Sequence, residues 1–231
     1  MVEAVLSDRV EVGYRADRWA LIRSLRIEAS ILMRPLVTAH IDCLAYGSLA
    51  RGDVKPTSDV DIFLPSPPAP ELIEATLERA GIRASEREII QATPGYAAKG
   101  YLYTADRRGY SFPLVSLLPT ERDFYTFAGS INLNQLEAGS RVLGVDKRLI
   151  LIEPTPRGHI ESPVAGKEGE IARLLGVDVR IVMERVRTLE RRRAVGRTGV
   201  YLKHILEPDE GFGEALHRLS LSRPAVRKRL G

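Results

Sequence analysis

The sequence predicts an α/β or α+β protein, in which helices flank a small mixed sheet and a small helical C-terminal domain follows. Two observations lead to this prediction. Segments with a helical spacing of apolar residues alternate with short apolar segments of strand length. A length of 231 residues is enough for one domain with an appendage, or for two small domains.

Apolar spacing, glycines and prolines divide the chain into predicted elements. Residues 16–40 have the pattern of one long helix, which we expect Pro35 to kink or end. Further helices are predicted over 71–80, 120–129, 132–138, 168–175 and 179–193, and strands or extended segments over 41–46, 60–64, 82–92, 101–104, 111–118 and 149–153. Three prolines and two glycines in 154–166 indicate a linker, so the predicted domains are 1–153 and 167–231.

The composition excludes several classes of protein. Hydrophobic residues make up 44% of the chain and charged residues 28%, as in ordinary globular proteins. No apolar run approaches the roughly 20 residues of a membrane-spanning helix, and residues 1–18 lack the apolar centre of a signal peptide. The single cysteine, Cys43, excludes an internal disulfide and a multi-cysteine zinc site. We therefore expect a cytoplasmic protein, and the scarcity of Asn and Gln, two of each, favours a heat-adapted source.

The segment 46–64 contains the residues with the clearest chemistry. An apolar strand leads into Gly47 and Ser48, a polar loop follows, and the next strand contains Asp59 and Asp61. Side chains two positions apart on a strand point the same way, and two neighbouring carboxylates repel each other unless a cation lies between them. Oxygen ligands of this kind suit Mg²⁺, or Mn²⁺ in its place. A phosphate could approach the Gly47 backbone closely and accept hydrogen bonds from Ser48.

This pattern resembles the polymerase-beta-type nucleotidyltransferase superfamily, in particular its small archaeal and bacterial members. Eleven positions separate Ser48 from Asp59, as in that family, and Arg51-Gly52 and Ser58 also match. The resemblance implies that Gly47 and Ser48 hold a nucleoside triphosphate such as ATP, and that Asp59 and Asp61 bind two Mg²⁺ ions. It also implies transfer of a nucleoside monophosphate to an acceptor hydroxyl with loss of pyrophosphate.

Two basic residues of the loop have alternative roles. Arg51 and Lys55 are each a candidate phosphate clamp and equally a solvated loop charge. The acceptor is open between RNA, a protein side chain and a small molecule, and the basic tail favours nucleic acid.

Active members of the family usually have a third carboxylate on a later strand, and the matching position here is Ser116. A hydroxyl is a poor Mg²⁺ ligand and a poor base, so we expect Glu88 to replace the carboxylate if its strand lies beside Asp59 and Asp61. The alternative is a nucleotide- or nucleic-acid-binding regulator that retains the fold without catalysis. The nucleotide-modifying half of a toxin–antitoxin pair is a third interpretation, ranked last because that class lacks a basic tail.

The C-terminal part of the chain is basic. Residues 162–231 contain 15 Lys and Arg against 9 Asp and Glu, whereas residues 1–161 contain 19 against 21. The two predicted helices, joined by Gly176-Val177-Asp178, resemble a helix-turn-helix with residues 196–203 as a small wing-like strand. In that interpretation the second helix presents Arg180, Arg185, Arg187 and Arg191 to nucleic acid. The alternative is a helical hairpin that only packs against the body.

Tyrosines cluster between residues 96 and 110, at Tyr96, Tyr101, Tyr103 and Tyr110. Two interpretations are open for them. They pack within the sheet, which we consider the simpler account, or some of them form a face on which nucleobases stack.

Overall fold

The computed structural model describes residues 9–105, 108–196 and 199–230. Its strands are β1 (Val10–Gly13), β2 (Leu44–Tyr46), β3 (Val60–Phe63), β4 (Glu86–Gln91), β5 (Lys99–Ala105), β6 (Arg108–Pro113), β7 (Ser130–Ile131), β8 (Gly144–Val145), β9 (Ile150–Thr155), β10 (Gly158–Pro163) and β11 (Leu202–Ile205). Its helices are α1 (Ala16–Thr38), α2 (Ser48–Arg51), α3 (Pro70–Arg79), α4 (Pro119–Ala128), α5 (Leu133–Glu137), α6 (Glu168–Leu175), α7 (Val179–Val195), α8 (Phe212–Ser222) and α9 (Pro224–Leu230). This mixed α/β content confirms the predicted fold class.

The chain divides into two compact units, each made of three segments. The first unit comprises Met1–Ile27, Ala45–Ser58 and Arg122–Thr198, and the second comprises Glu28–Leu44, Asp59–Glu121 and Gly199–Gly231. None of the helices in the described ranges is long and apolar enough to span a membrane.

The first unit contains a four-stranded antiparallel sheet in the order β1-β10-β9-β8. Helices α6 and α7 bury their apolar faces in one core with this sheet, formed by Phe127, Val145, Leu149, Leu151, Val164, Ile171, Ala172, Ile181, Val182, Val186 and Leu189. Gly176 ends α6 in the left-handed conformation, at φ 66°, and the Asp178 side chain caps α7 by accepting from the Arg180 N–H. In the same unit, β2 pairs antiparallel with β7.

The second unit contains the strands β11-β4-β5-β6-β3 in that spatial order. The β3–β6 pair is parallel and the other three pairs are antiparallel. Gly100 in β5 lets the rings of Phe112 and Phe212 pack closely against the backbone of the sheet, because a Cβ there would lie 2.5 Å from the Phe112 ring and 3.0 Å from the Phe212 ring. This packing holds the centre of the sheet against α8.

The structure corrects the predicted linker and domain division. Residues 154–166 contain the end of β9 and all of β10, which form a hairpin with Gly158 opposite Thr155. The prolines and glycines in this segment therefore belong to a hairpin and its strand ends, where proline is tolerated. The predicted C-terminal domain also does not stay together, since α6 and α7 belong to the first unit and β11, α8 and α9 to the second.

Two other predictions differ in detail. Pro35 lies within α1, which ends at Thr38, so the proline stands near the end of the helix without stopping it. The predicted wing strand exists as β11, but it pairs with β4 in the second unit, with Leu202 opposite Gln91. The polar segment 106–109 has the composition of a turn, but Arg108 and Gly109 belong to β6, and residues 106 and 107 lie outside the described residues.

Candidate functional site

The loop that contains the phosphate-binding candidates begins at Gly47 in the first unit. Gly47 has φ 75°, a conformation that favours glycine, and its N–H donates to the Gly129 carbonyl at 2.8 Å. A Cβ added at Gly47 would meet no heavy atom within 4 Å. The space beside this backbone is therefore open, as a bound phosphate would require.

Hydrogen bonds between Ser48, Lys55 and Ser58 close this loop on itself. The Ser48 hydroxyl donates to the Ser58 hydroxyl at 3.2 Å, and the Lys55 N–H donates to the same Ser58 oxygen at 2.9 Å. The Ser58 N–H in turn donates to the Lys55 carbonyl at 2.9 Å. The Lys55 side chain is exposed, so its ammonium group remains a candidate phosphate ligand.

Arg51 is a structural residue, which corrects its prediction as a phosphate clamp. Its side chain is 5% exposed. The guanidinium donates to the Ala128 carbonyl at 2.6 Å and forms an ion pair with Asp53 at 3.0 Å. Because both terminal nitrogens of its guanidinium are bonded inside the first unit, Arg51 fixes the end of α2 and does not face solvent, where a phosphate would bind.

Arg26 is a second buried arginine at this loop, and the sequence prediction missed it. It donates to the Leu49 carbonyl at 3.0 and 3.2 Å and to the Ala50 carbonyl at 3.2 Å, which fixes α2 from the side of α1. Burial lowers the pKa of Arg26 to about 10. The signal was present in the sequence, because Arg26 follows the buried Ile22 by four positions, on the apolar face of the helix.

In the second unit, Asp59 directly precedes β3 and Asp61 is its second residue. Both are exposed, whereas the alternating residues Val60 and Ile62 are 1% and 0% exposed. The two carboxylates are therefore exposed on the same side of the chain at the start of the strand, as the alternation predicts.

Two exposed carboxylates on one face fit a divalent cation that is also held by water and substrate phosphates. No group of three or more His, Cys, Asp or Glu side chains arranged to hold a metal occurs in the described ranges. The carboxylates alone therefore provide a partial ligand set.

The strand next to β3 lacks the third carboxylate. In β6, Gly109 lies opposite Asp61 and Ser111 lies opposite Phe63, and the strand sequence RGYSFP contains no acidic residue. Ser116 lies beyond the end of β6 and its carbonyl accepts from Arg229 at 3.0 Å. The structure thus corrects the expectation from the sequence: the third carboxylate would have to come from a β6 residue beside Asp61, and not from Ser116.

Glu88 lies too far along the sheet to replace that carboxylate. Its strand β4 is separated from β3 by β5 and β6, which corresponds to about 14 Å between the backbones at about 4.8 Å per strand. Carboxylates that share one Mg²⁺ place their oxygens about 2.1 Å from the ion. Glu88 is also 1% exposed and forms an ion pair with Lys203. This placement corrects the prediction that Glu88 lies beside Asp59 and Asp61.

Helix α7 presents only some of its predicted arginines. Arg187 and Arg191 are exposed, and so is Arg180, which forms an ion pair with Asp178 at 2.6 Å. Arg185 instead stacks on the Phe124 ring at 5.2 Å, and burial lowers its pKa. Since the apolar faces of α6 and α7 are buried in the core of the first unit, this geometry favours the packing interpretation.

The fold and the motif together define a mixed α/β protein with an open glycine–serine loop followed by a strand with paired aspartates. Residues 36–129 match the family model described as the nucleotidyltransferase domain. This segment is therefore a nucleotidyltransferase domain, consistent with the polymerase-beta type that the motif resembles. No curated protein matches the chain.

Proposed function

We propose that the chain is a metal-dependent nucleotidyltransferase that moves a nucleoside monophosphate from a nucleoside triphosphate, such as ATP, to an acceptor hydroxyl. The observation that carries this proposal is the motif from Gly47 to Asp61 within the matched domain, with an open backbone at the glycine and both carboxylates on the solvent side of β3.

Each residue has a distinct role in this proposal. The triphosphate occupies the open space beside Gly47, whose own N–H is held by the Gly129 carbonyl, and accepts from Ser48. The Lys55 ammonium group offsets its charge. Asp59 and Asp61 bind Mg²⁺ or Mn²⁺, which neutralises phosphate charge and aligns the attack on the α-phosphate. Arg26 and Arg51 keep α2 in place and act only through the backbone they hold.

A second candidate is a nucleotide-binding regulator without catalysis. Gly109 opposite Asp61 favours it, because the neighbouring strand supplies neither a third metal ligand nor a base for the acceptor. A positioned base contributes roughly a hundred- to ten-thousand-fold in rate. The chain should therefore bind nucleotide well and transfer it slowly.

Nucleic acid is the proposed partner of the exposed arginines on α7. Arg187 and Arg191 lie one helical turn apart, so both could contact the same phosphate backbone. Binding through such contacts should weaken as the salt concentration rises, because each neutralised phosphate releases counterions.

The test of the nucleotide site is the shift in melting temperature that Mg²⁺ and ATP produce together. We expect the Asp59→Asn/Asp61→Asn variant to lose the shift. The matched control Asp42→Asn/Asp209→Asn removes the same charge from two exposed positions and should keep it. An equal shift in both variants would refute the metal site. Transfer of radiolabel from NTPs by the wild type, with RNA, protein and small-molecule acceptors, then separates the enzyme from the regulator.

A further inference from the structure

The face of the second-unit sheet that contains Asp61 also contains two tyrosines of β5. Tyr103 pairs with Gly109, which pairs with Asp61, and Tyr101 pairs with Ser111, which pairs with Phe63. Residues paired directly across strands project from the same side of a sheet. Tyr103 and Asp61 therefore share one face, two strand spacings or about 10 Å apart.

Gly109 leaves no side chain between Tyr103 and Asp61. A Cβ at Gly109 would lie 3.2 Å from Cδ1 of the Tyr103 ring and 3.1 Å from the Leu102 carbonyl oxygen. The glycine therefore lets the tyrosine ring approach the backbone of β6, and it places no side chain between the ring and Asp61.

The two tyrosine rings are nearly parallel and partly exposed. Their centroids are 6.1 Å apart and their planes differ by 14°. Burial, with the charges of Asp61 and Glu88, raises the pKa of Tyr101 to about 12, and burial and Glu88 raise that of Tyr103. Both hydroxyls therefore stay neutral at physiological pH, and the rings offer a π surface of the kind on which bases stack.

Basic groups border this tyrosine pair. Lys99 precedes Tyr101 by two positions in β5 and so projects from the same face, and its ammonium group lies 5.7 Å from the centre of the Phe63 ring. Lys203 on β11 forms an ion pair with Glu88, and its side chain is 51% exposed. The pairing offsets the charge of Glu88, which lies opposite Tyr101, whereas the exposed Glu86 lies opposite Tyr103 on the same face. The Tyr101 side of the pair is therefore the side that does not repel a phosphate backbone.

We propose that Lys99, Tyr101 and Tyr103 form a platform for single-stranded nucleic acid, whose terminal bases stack on the tyrosines while its end approaches Asp61. This inference rests on the proposed function, for which it names the acceptor as a nucleic acid end. About 10 Å corresponds to roughly three nucleotides at 3.4 Å each, so only the last few bases occupy the platform. Stacking on aromatic rings tolerates any base, and we expect weak sequence preference.

The experiment measures fluorescence anisotropy of labelled 12-nucleotide oligo(A), oligo(U) and oligo(dT) at 50 mM salt. We expect Tyr101→Leu and Tyr103→Leu each to weaken binding about tenfold, while Tyr103→Phe stays within twofold because the ring is retained. Tyr201→Leu is the matched control, since Tyr201 is an exposed tyrosine of the same unit outside the platform, and its affinity should not change. Each variant is also melted with Mg²⁺ and ATP to show that the nucleotide-dependent shift persists.

Three results would overturn the platform. The first is wild-type protein that binds none of the oligonucleotides. The second is unchanged affinity in both leucine variants with a loss in Arg187→Ala/Arg191→Ala, which would place the nucleic acid on α7. The third is an equal loss in Tyr103→Leu and Tyr103→Phe, which would assign the effect to the hydroxyl. In each case the shift in melting temperature with Mg²⁺ and ATP tests the proposed function separately, because nucleotide binding does not depend on the acceptor.

Discussion

Replacing Arg51 by alanine tests whether this residue holds the loop or binds phosphate. The guanidinium is buried and forms an ion pair with the buried Asp53 at 3.0 Å, and it donates to the Ala128 carbonyl at 2.6 Å. The Arg51→Ala variant would leave the Asp53 carboxylate without its cation and the carbonyl without its donor. We therefore expect a loss of stability well above that of an average surface substitution.

The structure allows the size of this loss to be estimated. Breaking a buried ion pair by removing one partner destabilises a protein by about 3–5 kcal/mol. Asp53 is 8% exposed and can relax toward water, so the lower end of that range, about 3 kcal/mol, applies. In the Arg51→Ala/Asp53→Ala double variant no buried charge is left alone, and about 1–2 kcal/mol should be recovered.

The assay is urea unfolding followed by the fluorescence of Trp19, the single tryptophan. Trp19 reports on the correct unit, because it lies in the first unit with Arg51 and its ring is 4.8 Å from the Arg141 guanidinium. Lys55→Ala is the control, an exposed basic residue of the same loop that should change the free energy of unfolding by less than about 0.5 kcal/mol. A loss below about 1 kcal/mol in Arg51→Ala, together with weaker binding of Mg²⁺-ATP, would refute our reasoning and restore Arg51 as a phosphate ligand.

Three further predictions concern the second unit. Burial, partly offset by Glu121, lowers the pKa of Lys99 from 10.5 to about 8, so the unfolded chain binds more protons between pH 8 and 10.5. The free energy of unfolding should therefore rise by about 1–3 kcal/mol across that range, and an equal rise in Lys99→Met would contradict this. Glu88→Gln should destabilise the second unit but change the rate of nucleotidyl transfer, measured with radiolabelled NTPs, by less than twofold. A tenfold loss of that rate would show that Glu88 belongs to the active site. Gly109→Asp places a carboxylate opposite Asp61 and should raise the rate of nucleotidyl transfer at least tenfold. Ser116→Asp, which lies outside β6, should leave the rate unchanged. Equal rates in the two variants would refute the assignment of residue 109 as the position of the third carboxylate.

The sequence predicted what local spacing determines. Apolar periodicity identified α1, α6 and α7, and the residues Gly176-Val177-Asp178 identified the junction of the last two, because helix period and junction residues are close together in the chain. Strand alternation likewise predicted that Asp59 and Asp61 point the same way. The signature of the nucleotidyltransferase domain lies in the same short segment, so it too could be recognised without the structure.

The roles of single charged residues could not be predicted, because their partners are distant in the chain. Arg51 binds a carbonyl 77 positions away, and Lys203 pairs with Glu88 through β11, a strand from the far end of the chain. An arginine in a polar loop has the same local pattern whether it faces solvent or a buried carbonyl. The helical hairpin α6–α7 was ambiguous for a related reason, since an apolar face that packs on a sheet has the same spacing as one that packs within a helix-turn-helix.

The order of the strands determines which residues lie close enough to Asp61 to supply the missing carboxylate. From the sequence, Ser116 occupied the position expected for the third carboxylate and Glu88 was its candidate replacement, because neither strand order nor register could be read from spacing. In the second-unit sheet β6 lies beside β3, and the β6 residue opposite Asp61 is glycine. The same glycine lets the Tyr103 ring approach the β6 backbone. The register therefore ties two properties to one position: a carboxylate at 109 would complete the metal site, and its Cβ would require the Tyr103 ring to shift by only a few tenths of an ångström.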